Sequence, residues 1–346
     1  MISFSNSLIK WHKTHGRKNL PWQIDKDPYK VWISEIMLQQ TQVNTASKYY
    51  INFIKRYPTI KVLSKSTEDE VLRYWAGLGY YPRAKNVYKS VKIIMQKFKG
   101  QLPNNLEKLQ SLPGIGRSTA GAVMALGFEK SSPILDANVK RVLSRYKAIE
   151  GNLLNSKNDK KLWVTAESLL PQKNISIYTQ ALMDLGATIC LQKKPKCHIC
   201  PIHVNCIAKK ENLVTLIPFK KSKKIKPTKE VFWLIITNHD GDFLLSKRPD
   251  TGIWPGLWSF LEYKSFKETS IASKKLFNLT LKKNNKIKPI KNEFSHYIMQ
   301  ATPINLNLKI GHKKLNEKFI WLNAKNINSR GLPSPIKKTI VKLSQK

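Results

Sequence analysis

The spacing of apolar residues changes once along this 346-residue chain, and that change constrains the fold more than any other feature. From Ser3 to about Ile217, apolar residues recur at intervals of three and four and prolines fall at the breaks, which indicates short amphipathic helices. Residues 231–239 and 242–249 have the composition of strands and flank an Asp240-Gly241 turn, which predicts a β-hairpin. We therefore expect a mainly α domain followed by an α+β domain.

The boundary between the two predicted domains falls in a lysine-rich segment. Residues 218–229 contain six lysines and two prolines but no acidic residue, which is typical of a solvated linker. We predict a first domain over residues 1–217 and a second over residues 230–346. Within the second, residues 281–292 are low in complexity and are predicted to form a loop.

The charge of the chain indicates a polyanionic partner. The formal net charge is +39, and each lysine or arginine that meets a phosphate releases condensed counterions. Nucleic acid is the first candidate and an acidic membrane surface the second. The N-terminal residues lack the apolar core of a secretory signal, and the apolar run of residues 231–236 is too short to cross a bilayer. We expect a cytoplasmic protein without a membrane partner.

All four cysteines lie in one short segment, at positions 190, 197, 200 and 206. A disulfide scaffold distributes its cysteines through a small chain, so this grouping predicts a metal site instead. Four thiolates can bind a zinc ion or a four-iron cluster, and a single Cys-x2-Cys within one tight segment favours the cluster over zinc. Such a site would order a loop whose three lysines, 193, 194 and 196, contact phosphates.

Residues 109–126 have the pattern of two helices joined by a Pro-Gly-x-Gly turn. Glycines at 114 and 116 allow the backbone to approach a phosphate, and the helix that follows presents free N–H groups. A Gly-x-Gly alone usually marks an ordinary turn, but the flanking Leu-Pro and the run of small residues favour a helix-hairpin-helix DNA anchor.

Two carboxylates stand out near this hairpin. Glu35 shares a predicted helix face with Val31, Trp32 and Leu38 and has no cation one turn away, so burial should favour the protonated acid. Asp136 precedes an amphipathic helix; it could be only a helix cap, or it could lie beneath a sugar extruded from a duplex. A surface role for Glu35 and a cap role for Asp136 are the alternatives.

Six segments together resemble the adenine DNA glycosylases of the MutY family over nearly the whole chain. They are LPWQIDKDPYKVWISEIMLQQTQV, WAGLGYYPRAKN, LPGIGRSTAGA, PILDANVKRVLSR, QALMDLGATIC and the four-cysteine loop. The resemblance implies a helix-hairpin-helix glycosylase domain with a [4Fe-4S] cluster on Cys190, Cys197, Cys200 and Cys206, and a Nudix-like lesion-recognition domain. Zinc is the alternative metal. It further implies that Glu35 protonates adenine and that Asp136 stabilises an oxocarbenium-like sugar.

The resemblance also assigns residues that contact DNA. Gln39 and Gln40 would wedge into the duplex, Tyr80 would contact oxidised guanine, and the adenine pocket would include Leu20, Trp22, Asn138 and Gln180. Phe294, Ser295 and His296 match the loop by which the family reads 8-oxo-guanine.

The residue after the Gly-x-Gly-Arg of the hairpin distinguishes two reaction types. Bifunctional relatives have a catalytic lysine at this position, whereas this chain has Ser118, which predicts base removal without strand cleavage. The expected substrate is duplex DNA with adenine opposite 8-oxo-guanine or guanine, bound by a monomeric, nucleoid-associated enzyme. The rival hypotheses are a bifunctional lyase for oxidised pyrimidines and a noncatalytic DNA-binding protein.

Overall fold

The structure is a computed structural model that describes residues 3–153, 155–219, 225–282, 286–308 and 317–345. Its chain forms two compact units. One contains Met1–Lys65 and Asn86–Ser222, and the other contains Ser66–Lys85 and Lys223–Lys346. The predicted domain borders stay a prediction, and residues 220–224 of the predicted linker lie outside the described part of the chain.

The α-helices, in chain order, are α1 (Phe4–His15), α2 (Pro28–Leu38), α3 (Val43–Arg56), α4 (Ile60–Ser64), α5 (Glu68–Trp75), α6 (Pro82–Lys97), α7 (Leu106–Gln110), α8 (Arg117–Ala122), α9 (Ala137–Tyr146), α10 (Ser156–Ser168), α11 (Ile175–Thr188), α12 (Ile207–Lys210), α13 (Phe266–Phe277) and α14 (Ser334–Ser344). The strands are β1 (Thr228–Thr237), β2 (Phe243–Lys247), β3 (Trp258–Ser259), β4 (Leu261–Tyr263), β5 (Ile290–Glu293), β6 (Ile298–Asn307) and β7 (Phe319–Leu322).

The first unit is helical, and capping residues set where its helices begin. The side chains of Ser3, Asp27, Asn105 and Asp136 accept N–H hydrogen bonds at the starts of α1, α2, α7 and α9. The apolar faces of α1, α9, α10 and α11 meet in one core, and α8 continues into a π-helical turn over Val123–Gly127 that packs against α2 and α11. This core holds α2, α8 and α9 in place, and these helices carry most of the predicted site.

The second unit is built on one sheet with the order β3-β2-β1-β6-β5, in which β4 also pairs with β1 and β7 with β2. β1 and β6 run parallel, and the other pairs are antiparallel. The segment Ser66–Lys85 belongs to this unit: Lys85 forms an ion pair with Asp250 at 2.5 Å, and Lys247 pairs with Asp69 at 2.6 Å.

The sequence predictions for this unit are confirmed in one place and wrong in another. The β1–β2 hairpin turns at Asn238–Asp242, where Gly241 has a φ of +78°. The predicted loop over residues 281–292 is wrong at its end, because Ile290–Glu293 forms β5 by pairing with β6. Cross-strand pairing overrides the lysine-rich composition there. Residues 283–285 of that loop lie outside the described chain, and no helix in the part described is both long and apolar enough to cross a membrane.

Candidate active site

Glu35 lies in the middle of α2. The N-cap of this helix is Asp27, whose carboxylate accepts a hydrogen bond from the N–H of Tyr29 at 2.7 Å, and Trp32 in the same helix is fully buried. In the described chain, no residue forms an ion pair or a hydrogen bond with the Glu35 carboxyl. Burial, together with the smaller effect of the charge of Asp136, raises the pKa of Glu35 to about 8. The carboxyl is therefore mainly protonated at neutral pH.

Asp136 is the N-cap of α9, and its Oδ1 accepts a hydrogen bond from the N–H of Val139 at 2.7 Å. Burial raises the pKa of Asp136 above its usual value, whereas the N–H groups of Val139 and Asn138 and the charge of Arg141 act to lower it. Because the charge of Asp136 acts on Glu35, the structure brings the two carboxyls into one site. Of the two, only Asp136 accepts hydrogen bonds that favour the ionised form.

The predicted hairpin consists of α7, a turn and α8. Gly114 has a φ of +81°, and an added Cβ would lie 2.9 Å from the Cβ of Asn86. Gly116 is the N-cap of α8 without a side-chain cap, and a Cβ there would meet no atom within 4 Å. The start of α8 is thus open to an incoming phosphate.

Ser118, in the first turn of α8, ties the hairpin to the segment before Asp136. Its Oγ accepts a hydrogen bond from the N–H of Leu135 at 2.9 Å. In the same interface, a Cβ added to Gly121 would lie 2.2 Å from the carbonyl oxygen of Pro133. Close packing at Gly121 therefore fixes the distance between the hairpin and the Asp136 segment.

Trp22 and Gln180 line a cavity of about 250 Å³ in the first unit. Its wall also includes His12, Arg17, Gln23, Ser34, Leu126 and Ile177. Leu20 and Asn138, which the resemblance assigns to the same pocket, are not among the lining residues. The N–H of Leu20 donates to Gln23, and the Oδ1 of Asn138 accepts from Arg141 at 2.8 Å.

The residues predicted to contact DNA strands have unusual backbone conformations. Gln40 has a φ of +54° and is exposed, and Tyr80 has a φ of +50° and is 47% exposed. Left-handed conformations of non-glycine residues concentrate at functional sites. Gln39 differs, because its Nε2 donates to the Oγ1 of Thr119 at 3.2 Å on α8. Tyr80 belongs to the Ser66–Lys85 segment of the second unit, and both glutamines belong to the first.

Cys190, Cys197, Cys200 and Cys206 line one cavity. Burial raises the pKa of Cys200 to about 12, and the charges of the other three thiols contribute to that rise. In the described chain, no group of three or more Cys, His, Asp or Glu residues is arranged to hold a metal ion. The donor set nevertheless suits a cluster, because four soft thiols face one space where a bound cation would offset their mutual repulsion.

Two arginines of α9 bind the cysteine segment. Arg145, 2% exposed, donates to the carbonyl oxygens of Ile217 at 2.8 Å and Leu191 at 2.7 Å, and its Nη1 lies 3.3 Å from the Sγ of Cys190. Arg141 donates to the carbonyl oxygen of Cys190 at 2.7 Å. The helix that begins at Asp136 therefore also holds the cysteine loop.

In the second unit, Phe294, Ser295 and His296 form the turn between β5 and β6. The N–H of Phe294 donates to the carbonyl oxygen of Tyr297 at 2.9 Å, and Ser295 and His296 are exposed. The Phe294 ring packs 5.0 Å from the Tyr297 ring. The ammonium group of Lys226 donates to the carbonyl oxygen of Phe294 and to Glu293, both at 2.7 Å. Lys226 was not singled out from the sequence.

Sequence reasoning also missed His12 and Arg17, which line the cavity, and Asp184, which is not among its lining residues. Asp184 is fully buried and accepts hydrogen bonds from Arg17 and from Gln180. The signal was available: an aspartate in the apolar helix sequence QALMDLGA requires a partner in the core.

Comparison with known proteins identifies the class. Residues 33–168 match the HhH-GPD superfamily of base excision DNA repair proteins, and residues 232–342 match the NUDIX domain. A thermostable thymine-DNA glycosylase aligns with a TM-score of 0.55 and 30% identity over 60% of this chain and 95% of its own. An endonuclease III–DNA complex aligns with a TM-score of 0.51 at 21% identity over 60% of this chain and 94% of its own, which shows the fold alone. Fold and hairpin together define a helix-hairpin-helix DNA glycosylase.

Relatives over the full length identify the family. The adenine DNA glycosylase of Buchnera aphidicola subsp. Acyrthosiphon pisum is 45% identical over 340 residues, which cover 97% of this chain and 96% of that protein. The human adenine DNA glycosylase is 36% identical over 218 residues, which cover 60% of this chain and 40% of the human protein. The chain belongs to the adenine DNA glycosylase family. The predicted fold class, family and enzyme class are confirmed.

Proposed function

We propose that this enzyme hydrolyses the N-glycosidic bond of adenine paired with 8-oxo-guanine or guanine in duplex DNA, without cutting the strand. The observation that carries the proposal is the pair formed by Glu35 and Asp136, whose surroundings differ. Glu35 has a pKa of about 8 and no partner in the described chain, whereas Asp136 accepts a backbone N–H. A carboxyl that burial keeps protonated and a carboxyl that accepts a backbone N–H are suited to act together as an acid and an anion.

In the proposed reaction Glu35 is the general acid. Its proton passes to a ring nitrogen of adenine while the bond between N9 and C1′ breaks, so adenine leaves as a neutral base. Asp136 stays ionised and stabilises the positive charge that develops on the sugar. A water oxygen then bonds to C1′ and releases a proton, which restores the charge balance.

The extruded adenine would occupy the cavity lined by Trp22 and Gln180. At about 250 Å³ this cavity lies below the usual range for drug-sized ligands and suits a single nucleobase. Leu20 and Asn138, which are not among the residues that line the cavity, would lie next to it and support the bound base. Trp22 is nearly buried and packs edge-on against Tyr50 at 5.5 Å, so its ring is a rigid wall.

DNA contacts are proposed in both units. The open start of α8, with Gly114, Gly116 and Ser118, would hold a phosphate, and Gln39 and Gln40 would fill the space that adenine leaves. Tyr80 would contact the opposite base. The exposed turn of Phe294, Ser295 and His296 would sense 8-oxo-guanine.

The absence of strand cleavage rests on Ser118. A lyase needs an amine at this position to form a Schiff base with the sugar, and a hydroxyl cannot form one. The hydroxyl is also engaged with the N–H of Leu135. Trapping most of the enzyme on substrate DNA with borohydride would contradict this part of the proposal.

The four cysteines would hold a [4Fe-4S] cluster with a structural role. When bound, the cluster supplies positive charge that orders the loop. Arg145 supports this assignment, because hydrogen-bond donors near cluster-ligating sulfurs are part of how proteins tune such sites. Purified enzyme should be coloured and contain iron; a colourless protein loaded with zinc would favour the alternative metal.

The decisive experiment compares wild type with Glu35→Gln and Asp136→Asn on duplexes that carry adenine opposite 8-oxo-guanine, guanine or thymine. Alkali converts each abasic product to a strand break, which is counted on a gel. Both variants should lose base release, while Glu150→Gln, an exposed glutamate of the same unit, should keep it. Normal cleavage by both variants would refute the central assignment.

A further inference from the structure

A polar group on the cavity wall is held by a buried carboxylate, which also pairs with a second wall residue, Arg17. Gln180 lines the cavity, and Asp184 lies one turn later on α11 and is fully buried. The Oδ2 of Asp184 accepts the backbone N–H of Arg17 at 2.8 Å, and its Oδ1 accepts the Nε and Nη2 of Arg17 at 2.9 and 2.6 Å. The Nε2 of His12 lies 3.4 Å from Oδ2.

These donors keep Asp184 ionised. Burial by itself would raise the pKa of Asp184, but the nearby His12 and the charge and hydrogen bonds of Arg17 bring it below its usual value. An ionised carboxylate can only accept hydrogen bonds. Its oxygens therefore require donors on every side.

The ionised carboxylate determines which way the Gln180 amide points. Gln180 donates its Nε2 to the Oδ1 of Asp184 at 2.9 Å. If the amide were turned over, its Oε1 would meet the carboxylate oxygen and the two acceptors would repel each other. The amide oxygen consequently remains available to a ligand, and within the described chain no residue donates to it.

We propose that Arg17 and Asp184 are positioning residues that fix the Gln180 amide with its oxygen available to the base, so that the cavity selects a purine with an exocyclic amine over one with a carbonyl. Adenine has an amine at C6, whereas hypoxanthine has a carbonyl oxygen there. The inference rests on the proposed function, since it assumes that the extruded base enters this cavity. A polar site built for a donor rejects an analogue that lacks it, because a buried acceptor is left unpaired.

The test uses two duplexes that are identical except for adenine or hypoxanthine at one position opposite 8-oxo-guanine. Single-turnover rates of base release are measured for each, and their ratio is compared between enzymes, which cancels the intrinsic difference between the two leaving groups. The variants are Gln180→Met, Asp184→Asn and the double variant. Asp159→Asn is the matched control, because it removes a carboxylate paired with Lys140 on the same unit.

We expect wild type and the Asp159→Asn control to share a high ratio. Gln180→Met should lower it by roughly 10- to 100-fold, and Asp184→Asn by a similar factor, because the amide that replaces the carboxylate can donate to Gln180 as well as accept from it. The double variant should be no worse than either single one. If Asp184 acts only through Gln180, the losses in the ratio from the two substitutions are not additive. If Asp184 has an independent structural role, its substitution adds a further loss to that of Gln180→Met.

Asp184→Asn removes a buried charge partner, so its fold is checked by thermal unfolding. If it does not fold, Arg17→Gln replaces it, since Arg17 is partly exposed and its loss removes the cation that keeps Asp184 ionised. A ratio unchanged by Gln180→Met, or additive losses in the double variant, would overturn the inference. A wild type that releases no adenine from any duplex would instead refute the proposed function, and the inference with it.

Discussion

The protonation of Glu35 should control both the rate and the stability of this enzyme as pH changes. The general acid must carry a proton, and burial gives Glu35 a pKa of about 8. Single-turnover release of adenine should therefore be nearly constant between about pH 6 and pH 7.5 and fall about tenfold per pH unit well above 8. At low pH the rate should fall as well, because Asp136 must be ionised and its own pKa is raised.

The raised pKa of Glu35 also predicts that the folded protein loses stability as pH increases. Between the ordinary pKa of 4.5 and about 8, folded Glu35 keeps a proton that the unfolded chain has lost, so the free energy of unfolding decreases as pH rises through this window. At pH 7 the difference amounts to at most about 3 kcal/mol. Glu35→Gln does not titrate and should therefore be more stable than wild type at pH 7 by up to that amount, and equally stable near pH 4.5.

Two assays check these statements. Rapid-quench measurements on one duplex with adenine opposite 8-oxo-guanine give the rate of base release, and urea unfolding gives the stability of both proteins across the pH range. Glu150→Gln should follow wild type in both, because Glu150 is exposed. A rate that is flat or rises up to about pH 9.5, together with a stability difference that does not change with pH, would refute the assignment of Glu35 as a buried acid.

Three further predictions concern contacts outside the acid pair. Ser118→Ala should lower the free energy of unfolding by about 1 kcal/mol in urea titrations, because the N–H of Leu135 loses its acceptor; an unchanged midpoint would contradict that role. Lys226→Met should reduce the preference for adenine opposite 8-oxo-guanine over adenine opposite guanine, since the Phe294 turn loses its ammonium donor, and Lys226→Arg should restore part of it; equal single-turnover ratios in all three proteins would count against it. Arg145→Met should destabilise the first unit by roughly 3 kcal/mol, because the carbonyl oxygens bound by its guanidinium lose their donor. Thermal unfolding measures that loss, and a normal melting temperature would show that the guanidinium is dispensable.

Features that depend on local periodicity could be predicted from the sequence. The helical spacing before residue 217 and the hairpin around Gly241 follow from side-chain patterns over a few residues, and both match the structure. Glu35 could be singled out for the same reason, since most of the residues around it on its own helix are apolar and buried.

Features that depend on contacts between distant segments could not be predicted. β5 forms in a lysine-rich stretch because β6 pairs with it, and nothing in residues 290–293 alone favours a strand. Arg17 and Asp184 are 167 positions apart, so their ion pair appears only once α1 and α11 pack together. The segment Ser66–Lys85 has an ordinary helical pattern, and the sequence gives no sign that it belongs to the second unit, where Asp69 pairs with the distant Lys247.

Asp136 shows how a structural and a chemical interpretation of one residue can support each other. Sequence alone left a choice between a helix cap and a carboxylate beneath the sugar, and in the structure Asp136 caps α9. The cap supplies the backbone N–H groups that oppose the effect of burial on its pKa, whereas Glu35, in mid-helix, has no free N–H within reach because those groups bond to the preceding turn. Two carboxyls in one half-buried site thus differ in their hydrogen-bond donors, because one carboxyl caps a helix and the other lies inside one. An anion at the first turn is also favoured by the helix dipole, so the position that makes Asp136 an ordinary cap suits it to remain charged beside a cationic sugar.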